Sequence, residues 1–190
     1  MATPPVFSVG QYNTAAYMNA IGLWKITPTS VTNGTITSDG DVTVTGGSSS
    51  VTLNGVFSTD YENYLILVNG IDCSLDDTVF KMTLGSTATN YYANFKYYKI
   101  GTGNGDLPQN NDTNWYVGIT DTNNASNFYI NIFSPFLSLR TTFNGGGWGY
   151  LSTFTTGGML ANTTSYTGFT FTLQGGTMSG GAIRVYGYKG

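Results

Sequence analysis

The sequence predicts an all-β protein, an antiparallel β-sandwich of jelly-roll-like form behind a short helix-containing N-terminal segment. Short runs in which apolar and polar residues alternate have the period of half-buried strands. Between them lie glycine- and asparagine-rich clusters of the kind that make turns. Aromatic residues reach 15% of the 190, too many for a disordered polar chain, while charged residues are only 9%.

The N-terminal part comes first. Pro4 and Pro5 favour an extended start. Thr14-Ala-Ala-Tyr-Met-Asn-Ala-Ile-Gly22 reads as a short helix, with Thr14 as its N-cap and Gly22 as its stop. Tyr17, Met18 and Ile21 share one face of it, and Leu23 and Trp24 extend the apolar patch. A helix this short is stable only against a partner surface. Residues 1–34 are therefore expected to be an anchor and oligomerisation segment that buries Val6, Phe7, Tyr17, Met18, Ile21, Leu23 and Trp24. Residues 35–190 are expected to form the sandwich.

From residue 35 the period is two. Val42 and Val44, then Val51 and Leu53, alternate with threonine and asparagine. Tyr64-Leu-Ile-Leu-Val68 is apolar on both faces and reads as a central strand covered twice. Tyr91 to Tyr98, Trp115 to Ile119 and Phe128 to Ile132 supply the next strands. Leu137 with Leu139, Trp148 with Tyr150, Phe169 to Leu173, and Ile183 with Val185 complete the set. Gly46-Gly47, Asn69-Gly70, Gly145-Gly-Gly147, Gly157-Gly158 and Gly180-Gly181 read as turns, and Gly101-Thr-Gly-Asn-Gly105 as a long loop.

Several function classes are excluded or weakened. With no histidine, Ser-His-Asp and Cys-His catalysis and His-ligated zinc are absent. The single Cys73 has no partner for a disulfide or a CxxC site. A net charge of −3 is the wrong sign for nucleic acid or an anionic membrane. No signal peptide and no membrane-spanning run is evident. Asp39-Gly-Asp41 and Asp76-Asp77 lack the ligand run of a calcium loop. The glycine-rich stretch before Asp106 lacks the Lys-Ser/Thr ending of a phosphate loop. Neither an enzyme, a metal nor a cofactor is expected.

The aromatics carry more information. Tyr98, Trp115, Tyr116, Trp148 and Tyr150 are candidates for stacking on a sugar ring, since each pairs a flat apolar face with a polar edge. Core packing and subunit contacts use the same residues. A carbohydrate-binding module or lectin-like receptor-binding tip is thus the alternative to a structural role.

Three segments carry a family resemblance. Pro5-Val-Phe-Ser-Val-Gly-Gln11 with Ala15 to Trp24 resembles the openings of tailed-bacteriophage structural proteins, those of cyanobacterial phages above all. Val56-Phe-Ser-Thr-Asp-Tyr-Glu-Asn-Tyr-Leu-Ile-Leu67 is similar to a strand start in phage fibre and decoration domains, and Ser179-Gly-Gly-Ala-Ile-Arg-Val-Tyr-Gly-Tyr188 to their last strand. The resemblance implies a virion component made in the host cytoplasm: a β-sandwich subunit, homotrimeric, attached to tail, neck or capsid proteins by its N-terminal segment. Attachment to a host surface glycan is the further implication. No catalytic motif is carried over.

Overall fold

The computed structural model describes residues 22–123 and 125–188. Among them are fifteen strands and no helix. The larger sheet runs in the order β3 (Gly34–Ile36), β4 (Val42–Ser48), β15 (Met178–Tyr188), β6 (Asn63–Cys73), β11 (Ser126–Phe133), β12 (Thr141–Gly149), β13 (Ser152–Leu160), β8 (Tyr91–Lys99), β9 (Gly103–Asp112). A further strand, β1 (Trp24–Ile26), lies along the second half of β15. The smaller sheet runs β10 (Trp115–Ile119), β7 (Val79–Leu84), β14 (Phe169–Leu173), β5 (Ser50–Asn54), β2 (Ser30–Thr32). Every pairing is antiparallel.

The alternation explains the architecture. Tyr64, Ile66 and Val68 on β6 and Phe128, Ile130 and Ile132 on β11 point to one side of the large sheet. Phe80, Met82 and Leu84 on β7 and Phe169, Phe171 and Leu173 on β14 do the same on the small sheet. All are buried in a single cluster shared by the two sheets. The result is a sandwich-like all-β fold. Aromatic rings bridge it: Phe128 of the large sheet lies 5.1 Å from Phe80 and 6.0 Å from Phe171 of the small one. Such pairs add about 0.5–1.5 kcal/mol each beyond the area they bury.

Several expected elements differ. Val6, Phe7, Tyr17, Met18 and Ile21, with most of the expected helix, lie outside the described residues. Within 24–34, expected in the anchor, Trp24–Ile26 and Ser30–Thr32 are strands of the two sheets, since β1 pairs with β15 and β2 with β5. Leu137 and Leu139 lie in a loop that Pro135 opens, and Leu139 is exposed. The glycine pairs expected at turns mostly sit inside strands: Gly46 in β4, Gly145 to Gly147 in β12, Gly157 in β13. Gly70 and Gly181 are bulges with φ of 70° and 66°, and they face each other where β6 meets β15. A side chain on Gly181 would meet backbone atoms of Gly70 and Ile71 at 2.7 Å, so the two strands close only because Gly181 carries none.

Charge seals the same edge. Asp41 accepts hydrogen bonds from Lys25 on β1 and, at 2.8 Å, from Arg184 Nε on β15. Burial works to raise the Asp41 carboxyl, but the two cations outweigh it and hold it below its ordinary range. A depressed carboxyl stabilises the fold above its unfolded pKa, and that contribution is lost as pH falls through the folded one. Asp41→Asn should therefore cost about 1 kcal/mol at neutral pH. It should also lose less stability than the native chain between about pH 5 and pH 2, a difference read from urea unfolding at each pH. Equal acid sensitivity of the two proteins would refute the pairing's contribution.

Candidate functional site on the outer face of the large sheet

The face of the large sheet turned away from the core has no covering element among the described residues. Antiparallel register orders its side chains in rows. One row reads Arg184, Leu67, Tyr129, Gly146, Thr155, Lys96, Asp106 from β15 to β9. A second reads Tyr186, Leu65, Asn131, Asn144, Gly157, Asn94. A third joins Asn127, Trp148, Thr153, Tyr98 and Asn104. In these rows the four central strands place no charged side chain.

The two halves of the face differ in chemistry. On β6 and β11 it is uncharged, with Leu65 and Leu67 half-buried, Phe133 beside them and Tyr129 45% exposed, set among Asn63, Asn69, Asn127 and Asn131. The Tyr129 ring lies beside Gly146, where a Cβ would touch its edge at 3.8 Å. β6 was expected to be covered on both sides; its Leu65 and Leu67 side instead belongs to this open face.

On β13, β8 and β9 the face is polar and uneven. One shallow depression of about 210 Å3 is lined by Asn94, Lys96, Thr155, Thr156 and Gly157. Another of about 250 Å3 lies between Lys96, Tyr98, Asn104, Gly105 and Asp106. Lys96 Nζ stands 3.8 Å from Asp106 Oδ2, with each side chain about half exposed.

Of the sugar-stacking candidates, Tyr98 and Trp148 fall in one row, with Thr153 between them. The others are elsewhere. Trp115 has no exposed surface, and its indole N–H donates to the Met159 carbonyl at 3.2 Å. It is a core residue and offers no ring face to a ligand. Tyr116 is half-buried on β10 beside Lys81, and burial raises its phenol. Tyr150 sits in the β12–β13 turn with Lys99 Nζ 4.6 Å from its ring centre. Of the expected anchor residues, Leu23 is exposed and Trp24 stacks on Tyr61 at 5.9 Å. Sequence reading passed over Tyr129, Asn94, Lys96, Asn104 and Asp106, though Lys96 and Asn94 alternate with Phe95 and carried the signal.

The carboxylates are engaged in loop structure. Asp76 accepts from the Thr122 N–H and hydroxyl at 2.7 and 3.0 Å. Asp77 pairs with Lys99. Asp112 accepts from the Thr113 N–H at 2.7 Å, which holds it below its ordinary range. Between the sheets a small cavity of about 140 Å3 is lined by Asp77, Val79, Phe95, Tyr97, Leu107 and Ile119. Among the described residues no three His, Cys, Asp or Glu side chains are grouped to hold a metal, and no helix is long and apolar enough to cross a membrane. The chain matches no protein family, no curated protein and no solved structure.

Proposed function

We propose that this chain is a virion structural subunit of a tailed phage, a fibre, spike or decoration protein that works by assembly and surface display without turnover. Residues ahead of the sheets attach it to tail, neck or capsid proteins, and copies associate as a homotrimer. Taking β4, β5, β6, β7, β10, β11, β14 and β15 as strands one to eight, the sheets run 1-8-3-6 and 2-7-4-5. That order supports a jelly roll, with hairpins β8–β9 and β12–β13 widening one sheet.

The observation that carries the assembly reading is the uncharged half of the open face, where Leu65, Leu67, Tyr129 and Phe133 stand among asparagines. Charge-poor, aromatic-rich centres with charged rims mark protein interfaces. Here the rims are Arg184 with Asp41 on one side and Lys96 with Asp106 on the other.

Light scattering after size exclusion tests it. The native chain should elute as a trimer, and Leu67→Asp should raise the dissociation constant about 30-fold or more while leaving the circular dichroism unchanged. A native monomer, or a Leu67→Asp trimer as tight as the native one, would overturn the assignment of this face. A second reading, a carbohydrate-binding surface for host attachment, is favoured by the Trp148, Thr153, Tyr98 row.

A further inference from the structure

The polar half of the open face differs from an assembly surface in ways that specify a ligand. It holds two shallow depressions, which meet at the Lys96 side chain. Its charges balance, one ammonium against one carboxylate 3.8 Å away. Around them stand Asn94 and Asn104, each offering both a donor and an acceptor. Tyr98, 52% exposed, forms one wall with its ring.

We propose that the outer face of β13, β8 and β9 binds an uncharged oligosaccharide. Tyr98 stacks on the apolar face of a pyranose ring. The Asp106 carboxylate accepts from neighbouring hydroxyls, Lys96 donates to one, and the two asparagines serve either way. Gly157, which carries no side chain between Asn144 and Asn94 in its row, keeps the first depression open for a second sugar unit. Trp148 lies two strands from Tyr98, about 10 Å away, in line for a chain laid across the strands.

Charge complementarity selects the uncharged class. An acidic sugar entering the depression beside Tyr98 meets Asp106, and a cationic one in either depression meets Lys96. The balanced pair with flanking amides instead matches the mixed donors and acceptors of neutral hydroxyls. This inference rests on the surface-attachment reading and is independent of the assembly contacts on β6 and β11.

A printed array of neutral hexose oligosaccharides, with sialylated and sulfated ones beside them, should give hits among the neutral members. Titration of the strongest neutral hit should give a dissociation constant that Tyr98→Ala weakens about tenfold. Asp106→Asn should weaken it as well. Both residues are exposed, so the variants should keep the native melting temperature. Binding should vary little with salt, since no net charge is neutralised. Hits confined to sulfated or sialylated members, or binding within twofold of native in both variants, would overturn the proposal. A blank array from a chain that still forms trimers would overturn this site and leave the assembly reading standing. Neutral-sugar binding by a native monomer would do the reverse.

Discussion

Replacing Trp115 with alanine is expected to remove about 3–5 kcal/mol of stability, the range for deleting a buried aromatic. The position makes the upper end the better expectation. Trp115 begins β10, the edge strand of the small sheet, yet its ring meets Tyr91 edge-on at 5.1 Å and Phe143 at 4.4 Å, both on the large sheet. Its N–H satisfies the Met159 carbonyl. One side chain thus clamps β10 over β8, β12 and β13. Truncation leaves a cavity between two rigid sheets that cannot collapse without breaking their ladders. Urea unfolding measures the loss, and at roughly 2–4 °C per kcal/mol the melting temperature should fall by about 10 °C. Trp115→Phe, which keeps the ring and loses the N–H, should cost less than half as much. A loss below 1 kcal/mol for alanine would mean that the sheets are held elsewhere.

The second large effect is expected at Asp121. Its side chain is 1% exposed and accepts from the Asn123 N–H at 2.8 Å and the Tyr150 N–H at 3.0 Å. It joins the β10–β11 loop to the β12–β13 turn. That turn needs such support. Tyr150 and Leu151 both have positive φ, 30° and 53°, a conformation that two-residue hairpins usually give to asparagine and glycine. Ser152 Oγ donates to the Tyr150 carbonyl, the Ile100 N–H to the Leu151 carbonyl, and Lys99 covers the Tyr150 ring. Hydrogen bonds to a charged acceptor contribute about 1.5–3 kcal/mol each. Asp121→Ala should therefore cost about 3 kcal/mol or more, measured by chemical unfolding. Changing Tyr150→Asn together with Leu151→Gly should relieve strain and offset about 1–2 kcal/mol of that loss. If the double change destabilises the Asp121→Ala chain further, the turn is not where the strain lies.

Much of the fold was legible because alternation is a local property. Phe169, Phe171 and Leu173, or Trp115, Val117 and Ile119, announce a buried side without reference to any neighbour, and both runs are strands. Glycine was the main source of error. In isolation Gly145-Gly-Gly147 reads as a turn, whereas in β12 it lets adjacent backbones come close: a side chain on Gly145 or Gly147 would collide with the Tyr129 or Asn127 carbonyl of β11. That requirement is set by the neighbouring strand, which the local sequence does not reveal. β9 was read as a loop for the same reason. Its residues have little strand propensity, and it pairs because β8 presents an open edge, with Pro108 tolerated at the outside of the sheet. The site was legible only in fragments. Tyr98 and Trp148 are fifty positions apart, and only the β12–β13–β8 register sets them in one row. Trp115 has the same composition signal as Trp148, and only the facing of its strand sends it to the core.

The place of β15 has a consequence for the living cell. It lies between β6 on one side and β4 and β1 on the other, although more than a hundred residues separate it from all three in the chain. During translation those strands leave the ribosome long before their partner exists. Until residue 178 emerges, β6 and β4 wait with unpaired edges that accept any compatible strand. Closure of the large sheet therefore waits until β15 has emerged. On a crowded polysome the β15 of a neighbouring nascent chain competes for the same gap, so exchange of this strand between copies is the misassembly to which the protein is most open.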